Sequence, residues 1–224
     1  MNVLNFIEAF FSDSAQWKGY DGIPQRVWEH IQYSAAALAI AAAIGLPIGL
    51  ITGHTGRGGN AMAFVAASAR ALPTFGLLVL MFVWLGLSVL PVMIPLVVLA
   101  IPPILITTYE AVRTVDPSPV DAARGMGMSQ SQILFQVEVP AALPLIFSGL
   151  RSAAIQIVST ATIAAYVSLG GVGRYIVDGL YQRDYEKVVG GATLTAALAL
   201  LVLVVFWAAG RTAVSPGVRR RGTA

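Results

Sequence analysis

Three stretches free of Asp, Glu, Lys and Arg restrict this chain more than any other feature. Residues 31–53 and 188–210 each run 23 positions without a charge, and residues 71–109 run 39. A helix rises about 1.5 Å per residue, so about 20 residues cross the roughly 30 Å of bilayer hydrocarbon. The 39-residue run exceeds one crossing and is broken by Gly86, Pro91 and Pro95, which suggests two spans joined by a tight turn. Hydrocarbon offers no water to unpaired backbone groups, so spans of this kind must be helical. Soluble domains carry about 25% charged residues. Here the figure is 11%, with a mean hydropathy of +0.76. The expectation is an all-α integral membrane protein with about five transmembrane helices, near 27–52, 72–88, 90–108, 138–168 and 188–210.

Charge orients the spans. Placing Arg211, Arg219, Arg220 and Arg221 in the cytoplasm follows the positive-inside rule. With Arg57, Arg70, Arg113 and Arg124 they make eight cations inside, against Lys18, Arg26, Arg174, Arg183 and Lys187 outside. An odd number of spans then leaves the N-terminus outside. The resulting divisions are an external segment at 1–26, a transmembrane domain at 27–210 with its cytoplasmic loop at 110–138, and a basic cytoplasmic tail at 211–224. Residues 60–70, between the first two spans, read as a short interfacial helix. The net charge of +3 is spread by topology and does not indicate nucleic acid. Cysteine is absent, which removes disulfides and thiolate metal sites. Residues 1–11 lack a basic stretch and carry Glu8, unlike a cleaved signal peptide.

The 110–138 loop holds six ionisable residues and is patterned. Asp116-Pro117-Ser118-Pro119 is turn chemistry, with Ser118 the expected N-cap and Pro119 the first helical residue. Residues 120–126 then make two helical turns, with Asp121 near the positive end of the dipole. Gly127 suits the left-handed position that closes such a helix. Ser129 and Gln132 have capping-box spacing for the next helix. Ala122 and Ala123 are small enough to let a partner groove approach the backbone.

Asp121-Ala122-Ala123, Gly127 and Val137-Glu138-Val139-Pro140 together resemble the coupling loop of ABC importer permeases. That pattern runs Glu-Ala-Ala, three residues, Gly, nine residues, Ile-x-Leu-Pro; Ala122, Ala123, Gly127 and Pro140 match it outright. Asp121, Val137 and Val139 are conservative replacements. Arg70-Ala71-Leu72-Pro73-Thr74, Ile101-Pro102-Pro103-Ile104-Leu105, Val115-Asp116-Pro117 and Leu169-Gly170-Gly171-Val172-Gly173 are similar to segments of the short permeases of osmoprotectant importers. The resemblance implies a type-1 ABC permease fold and a binding-protein-dependent importer for glycine betaine, choline, carnitine or a related compound. It also implies a cytoplasmic ATPase dimer, a second permease subunit and an external substrate-binding protein. The chain itself would be no enzyme and would hold no cofactor or metal. A permease for methionine, sulfonates or another small solute is the nearest rival, and a stand-alone secondary transporter a more distant one. Gly53-His54-Thr55-Gly56-Arg57-Gly58-Gly59 is glycine-rich but lacks the Gly-Lys-[Ser/Thr] ending of a nucleotide loop.

Ser148, Ser152, Gln156, Ser159 and Tyr166 follow helical spacing along the fourth span. The stripe could line a solute route, or it could serve interhelical packing. Arg151 is the one charge inside a span and must face protein or water. Either it contacts a cavity or gate, or it snorkels to the cytoplasmic side. Gly45, Gly49 and Gly53, spaced by fours, indicate close helix packing, in this chain or against another. Trp84, Trp207 and Tyr109 read as interface anchors. The loop from 170 to 187 is a candidate docking surface for the binding protein.

Overall fold

Apolar periodicity becomes helix nearly everywhere in the computed structural model, which describes residues 2–71, 73–167 and 170–213. In order these are α1 (Val3–Ser12), a 3-10 turn (Ser14–Trp17), α2 (Ile23–Thr55), α3 (Gly59–Ala71), α4 (Thr74–Leu85) and α5 (Leu90–Arg113). There follow α6 (Pro117–Gly125), α7 (Gln130–Ile133), a π-turn (Leu134–Glu138), α8 (Val139–Ala161), a 3-10 segment (Thr162–Val167), α9 (Gly173–Gln182) and α10 (Tyr185–Ala213). The expected basic tail from 214 onward lies outside the described residues, as do Leu72 and Leu169 of the quoted motifs.

Four of these helices are long and apolar enough to cross a bilayer: Ile23–Thr55, Leu90–Arg113, Gln130–Ala161 and Tyr185–Thr212. The segment expected as a span at 72–88 is shorter. Its helix is the 12-residue α4, stopped at Gly86, whose φ of +72° suits glycine. At 1.5 Å per residue α4 covers about 18 Å, well short of the hydrocarbon thickness. The α7–α8 run begins earlier than position 138 because the π-turn joins the two helices without a break. The Val139 N–H bonds the Leu134 carbonyl, a spacing of five. Pro140 follows directly; a proline ring clashes with the carbonyl four residues back, and a widened turn at that point makes room for it.

The described residues fall into two compact units: 1–39, 72–99 and 154–202 in one, and 40–71, 100–153 and 203 onward in the other. In the first, Phe10, Ile23, Val172 and Tyr175 form a core over which Phe11, Val27 and Leu194 pack. Phe10 occupies the space a side chain at Gly190 would need, which seats α1 on α10.

The second unit is organised by the glycines of α2. A Cβ on Gly49 would lie 2.7 Å from the Thr108 Cβ and 2.9 Å from the Leu105 carbonyl oxygen. One on Gly53 would lie 2.9 Å from the Tyr109 oxygen. The partner of the glycine face is therefore α5 of the same chain, and only glycine permits that approach. Around it Ala111, Val112, Leu134, Ala142 and Ile146 form the core. Tyr109 belongs to a second cluster with Met62 and Leu105 and is 4% exposed, so it is a core residue and no lipid anchor. Trp84 and Trp207 are exposed. In the glycine-rich 53–59 segment residues 53–55 end α2 and residues 56–58 turn into α3: Gly56 and Gly58 take φ of +66° and +99°, and the Arg113 guanidinium donates to the Gly56 carbonyl at 3.2 Å.

Candidate functional site

Asp116 caps α6, two residues ahead of the cap expected at Ser118. Its carboxylate accepts the Ser118 N–H at 3.0 Å, and Pro117 takes the first helical position. Both prolines fall in the first turn, where backbone N–H groups have no intrahelical acceptor to lose. Either frame was sterically open, and a carboxylate at the positive end of the dipole outcompetes a hydroxyl.

The far end of α6 closes as a Schellman motif. The Gly127 N–H bonds the Arg124 carbonyl at 3.0 Å and the Met128 N–H bonds the Ala123 carbonyl at 3.1 Å, with Gly127 at φ +80°. Ser129 and Gln132 then exchange reciprocal capping bonds, Ser129 N–H to Oε1 at 2.8 Å and Gln132 N–H to Oγ at 3.4 Å. Val120, Ala123 and Ile133 are buried together, flanked by Val115, Met128 and Val137. Ala122 and Ala123 thus point apart: Ala123 is 1% exposed inside the loop's own core, while Ala122 faces out. The outward face carries Asp121, Ala122, Gly125 and Met126. Met126 is 75% exposed, and Asp121 pairs with Arg124 at 3.2 Å across one turn. Pro140 is exposed at the second position of α8.

A buried polar pair stands behind this loop, unanticipated from the sequence. His54 Nδ1 lies 2.5 Å from the Glu138 Oε2, with the two side chains 12% and 8% exposed. It ties the end of α2 to the π-turn. A cleft of about 340 Å3 adjoins it, lined among others by Arg113, Val120, Asp121 and Arg124.

Along α8, Ser152, Gln156 and Ser159 are exposed while Ala153, Ala154, Ile157 and Val158 are buried. Ser148 is half-buried and accepts a bond from Arg151 at 3.4 Å. Tyr166 lies beyond the end of α8, on the 3-10 segment, exposed and edge-on to Phe75 with ring centroids 5.5 Å apart.

Residues 170–187 hold the helix α9 in place of an irregular loop, and Gly171, Val172 and Gly173 are interior. The Glu29 carboxylate accepts the Gly171 N–H at 2.8 Å and an Arg26 N–H at 3.0 Å. His30 donates Nε2–H to the Val158 carbonyl at 2.9 Å; a carbonyl only accepts, which fixes the tautomer. A Cβ on Gly170 would collide with the Glu29 carboxylate, and one on Gly173 with the Thr162 carbonyl. These glycines are packing residues; the outward surface of the segment is residues 180–183 with Tyr185 and Glu186. Tyr175 donates to the Asp21 carbonyl at 2.7 Å. Burial pushes its phenol up to about 12, with Arg26 opposing and Asp21 adding to the shift. Neither Glu29 nor His30 was anticipated. Two adjacent polar residues at the mouth of an apolar run were the available signal.

Long apolar helices with a capped helix–turn–helix loop between two of them define a helical membrane protein. The chain belongs to the family of binding-protein-dependent transport system inner membrane components, whose sequence profile matches residues 45–220. It is 31% identical to the carnitine transport permease protein OpuCB of Listeria monocytogenes over 89% of each chain. The choline transport system permease protein OpuBB of Bacillus subtilis is 28% identical over 87% of this chain and 90% of its own. The osmoprotectant import permease protein OsmW of Salmonella typhimurium is 31% identical over 80% and 85%. The fold is similar to that of the MetNI methionine ABC transporter in inward-facing conformations. The TM-score is 0.74 at 22% identity, covering 86% of this chain and 96% of that one. This chain is therefore an ABC importer permease with a type-1 fold, a membrane transport component and not a catalyst.

Proposed function

We propose that the chain forms the translocation pathway for an osmoprotectant such as glycine betaine, choline, carnitine or proline betaine, driven by a separate cytoplasmic ATPase dimer. The observation that carries the reading is the α6 loop, whose outward face joins a charge, a small residue and an exposed Met126 on a helix capped at both ends. Such a face suits a groove on a partner. Asp121, Ala122, Gly127 and Pro140 are its coupling residues, with Ala123 supporting the helix from within. Carnitine and choline permeases among the relatives favour this cargo over methionine or a sulfonate. The exposed Ser152, Gln156, Ser159 and Tyr166 carry no acid or base, which suits a cargo whose own charge must pass without being held. With Ser148 they are the pathway candidates. The working assembly contains a second permease subunit, identical or homologous, and an external binding protein meeting the 180–186 surface. It lies in a bacterial inner membrane; counting α4 together with the uncharged residues 86–89 as the fifth crossing, the N-terminus is outside and the tail in the cytoplasm.

Reconstitution tests this reading. Vesicles holding the permease with its cognate ATPase and binding protein should take up betaine, choline or carnitine only with ATP inside the ATPase compartment. Full-speed uptake by the permease alone overturns the coupling reading, and uptake of methionine in preference overturns the cargo. Single cysteines at 152 and 156 should label from the aqueous route while those at 153 and 157 stay protected; the reverse pattern removes the stripe from the pathway.

A further inference from the structure

Arg151 is left unused by that reading, and its surroundings are specific. It is half-buried, and among the described residues no carboxylate reaches it; its bond is to the Ser148 hydroxyl at 3.4 Å. A cationic side chain in a span needs an anionic or carbonyl partner, or water. Beside it opens a cavity of about 190 Å3 between α8 and α10, lined by Phe147, Ser148, Arg151, Phe206, Trp207 and Arg211, with Pro144 and Gly210 completing the wall. No acidic residue is among the described lining residues. Arg211 reaches the same cavity with its guanidinium 4.8 Å above the Trp207 ring. Two guanidinium groups and a hydroxyl thus converge on a space below the roughly 300–1,000 Å3 of a drug-sized ligand pocket.

The remainder of the wall is apolar and continues outward. Leu203, Val204 and Val205, one to two turns further along α10, are exposed by 40%, 54% and 54%. A polar, cationic end with an apolar wall running away from it fits an amphiphile. Arginine forks match phosphate oxygens in pairs, and basic pockets between transmembrane helices near the cytoplasmic face take acidic head groups.

We infer that Arg151, Arg211 and Ser148 form a binding site for the phosphate of an anionic membrane lipid, with its acyl chain lying along Trp207 and the exposed face of α10. The lipid neutralises Arg151 inside the membrane and fastens α8 to α10 from the outside. The site is independent of the cargo, so its test leaves the transport reading untouched.

Native mass spectrometry of the intact permease, released from nanodiscs of phosphatidylcholine with a minor fraction of phosphatidylglycerol, reads the site directly. Wild type should retain phosphatidylglycerol, and Arg151→Gln should hold it about tenfold more weakly, the loss expected for a charge-assisted bond. Arg151→Lys should keep part of it, and Arg183→Gln, which alters an exposed arginine elsewhere, should retain wild-type binding. Arg151→Gln breaks no ion pair within the described residues, so folding is preserved and checked by the unfolding temperature in phosphatidylcholine alone. Equal retention by wild type and Arg151→Gln overturns the site. Inorganic phosphate that displaces phosphatidylglycerol and raises the unfolding temperature as strongly overturns the lipid assignment in favour of a free oxyanion.

Discussion

Two glycines, two positions apart at the end of α6, should respond in opposite directions to the same substitution. Gly127 has φ +80° and Gly125 is the last helical residue; a Cβ at either would meet nothing within 4 Å. Packing is thereby removed from the comparison and only backbone preference remains. Holding an L-residue in the left-handed region costs about 1–2 kcal/mol, partly offset at Gly127→Ala by the smaller entropy of the unfolded chain. A net destabilisation of about 1 kcal/mol is expected. Gly125→Ala replaces the poorest ordinary helix former with the best and should stabilise by up to about 1 kcal/mol. The gap of about 1.5–2 kcal/mol corresponds to more than tenfold in local opening. It can be read as hydrogen-exchange rates of the Met126, Gly127 and Met128 amides, which bond back to Ala122, Arg124 and Ala123. Gly127→Ala should exchange faster than wild type and Gly125→Ala slower. If both move the same way, the Schellman closure is not what holds this helix. In the assembled transporter Gly127→Ala should also lower substrate-stimulated ATP hydrolysis while leaving membrane insertion intact.

Other consequences follow from the packing. His54→Ala leaves the Glu138 carboxylate buried without its partner, which costs about 3–5 kcal/mol. Replacing both by leucine should recover most of that, and a thermal melt in which the single variant loses as little as the double would refute the pairing. Gly49→Val drives a side chain into Thr108 and the Leu105 carbonyl, so a loss of about 1–3 kcal/mol or more is expected from overpacking; an unchanged unfolding temperature would mean α2 and α5 do not approach this closely. Tyr175, pushed up to about 12, stays protonated in the folded chain above the usual tyrosine value of about 10. Its stabilisation is complete below about pH 10 and lost as pH climbs to about 12, so Tyr175→Phe should flatten stability across that window. An identical alkaline profile in the variant would count against it.

The parts of this fold that were legible in the sequence are those set by local repetition. Long uncharged runs give α2, α5 and α10, and an apolar run interrupted only by Arg151 gives α8, because a bilayer tests length and polarity. Gly127 and the Ser129–Gln132 box were readable because their bonds close within five residues. Where two local solutions competed, the reading slipped: by two residues at the cap, Ser118 for Asp116, and by about two turns at the helix expected from 138, which begins at Gln130 and passes through a π-turn. Tyr109 and the Gly170–Gly173 motif were placed outward because aromatic and glycine-rich segments at span ends commonly are; which way each points is settled by residues far away in the chain.

The buried polar groups were invisible for the same reason. Gly171 bonds Glu29 across 142 positions, His30 meets Val158 across 128 and His54 meets Glu138 across 84. No periodicity encodes such pairs, but the cost of an unpaired buried charge does. Each of these ionisable side chains lies at the margin of an apolar run, where the bilayer no longer excludes it outright yet water does not fully solvate it. Residues in that position must find one another or a backbone partner. Arg151 obeys the same demand from inside a span, and the described residues offer it only a hydroxyl. That deficit, more than the shape of its cavity, is why an anion from the membrane belongs in the argument.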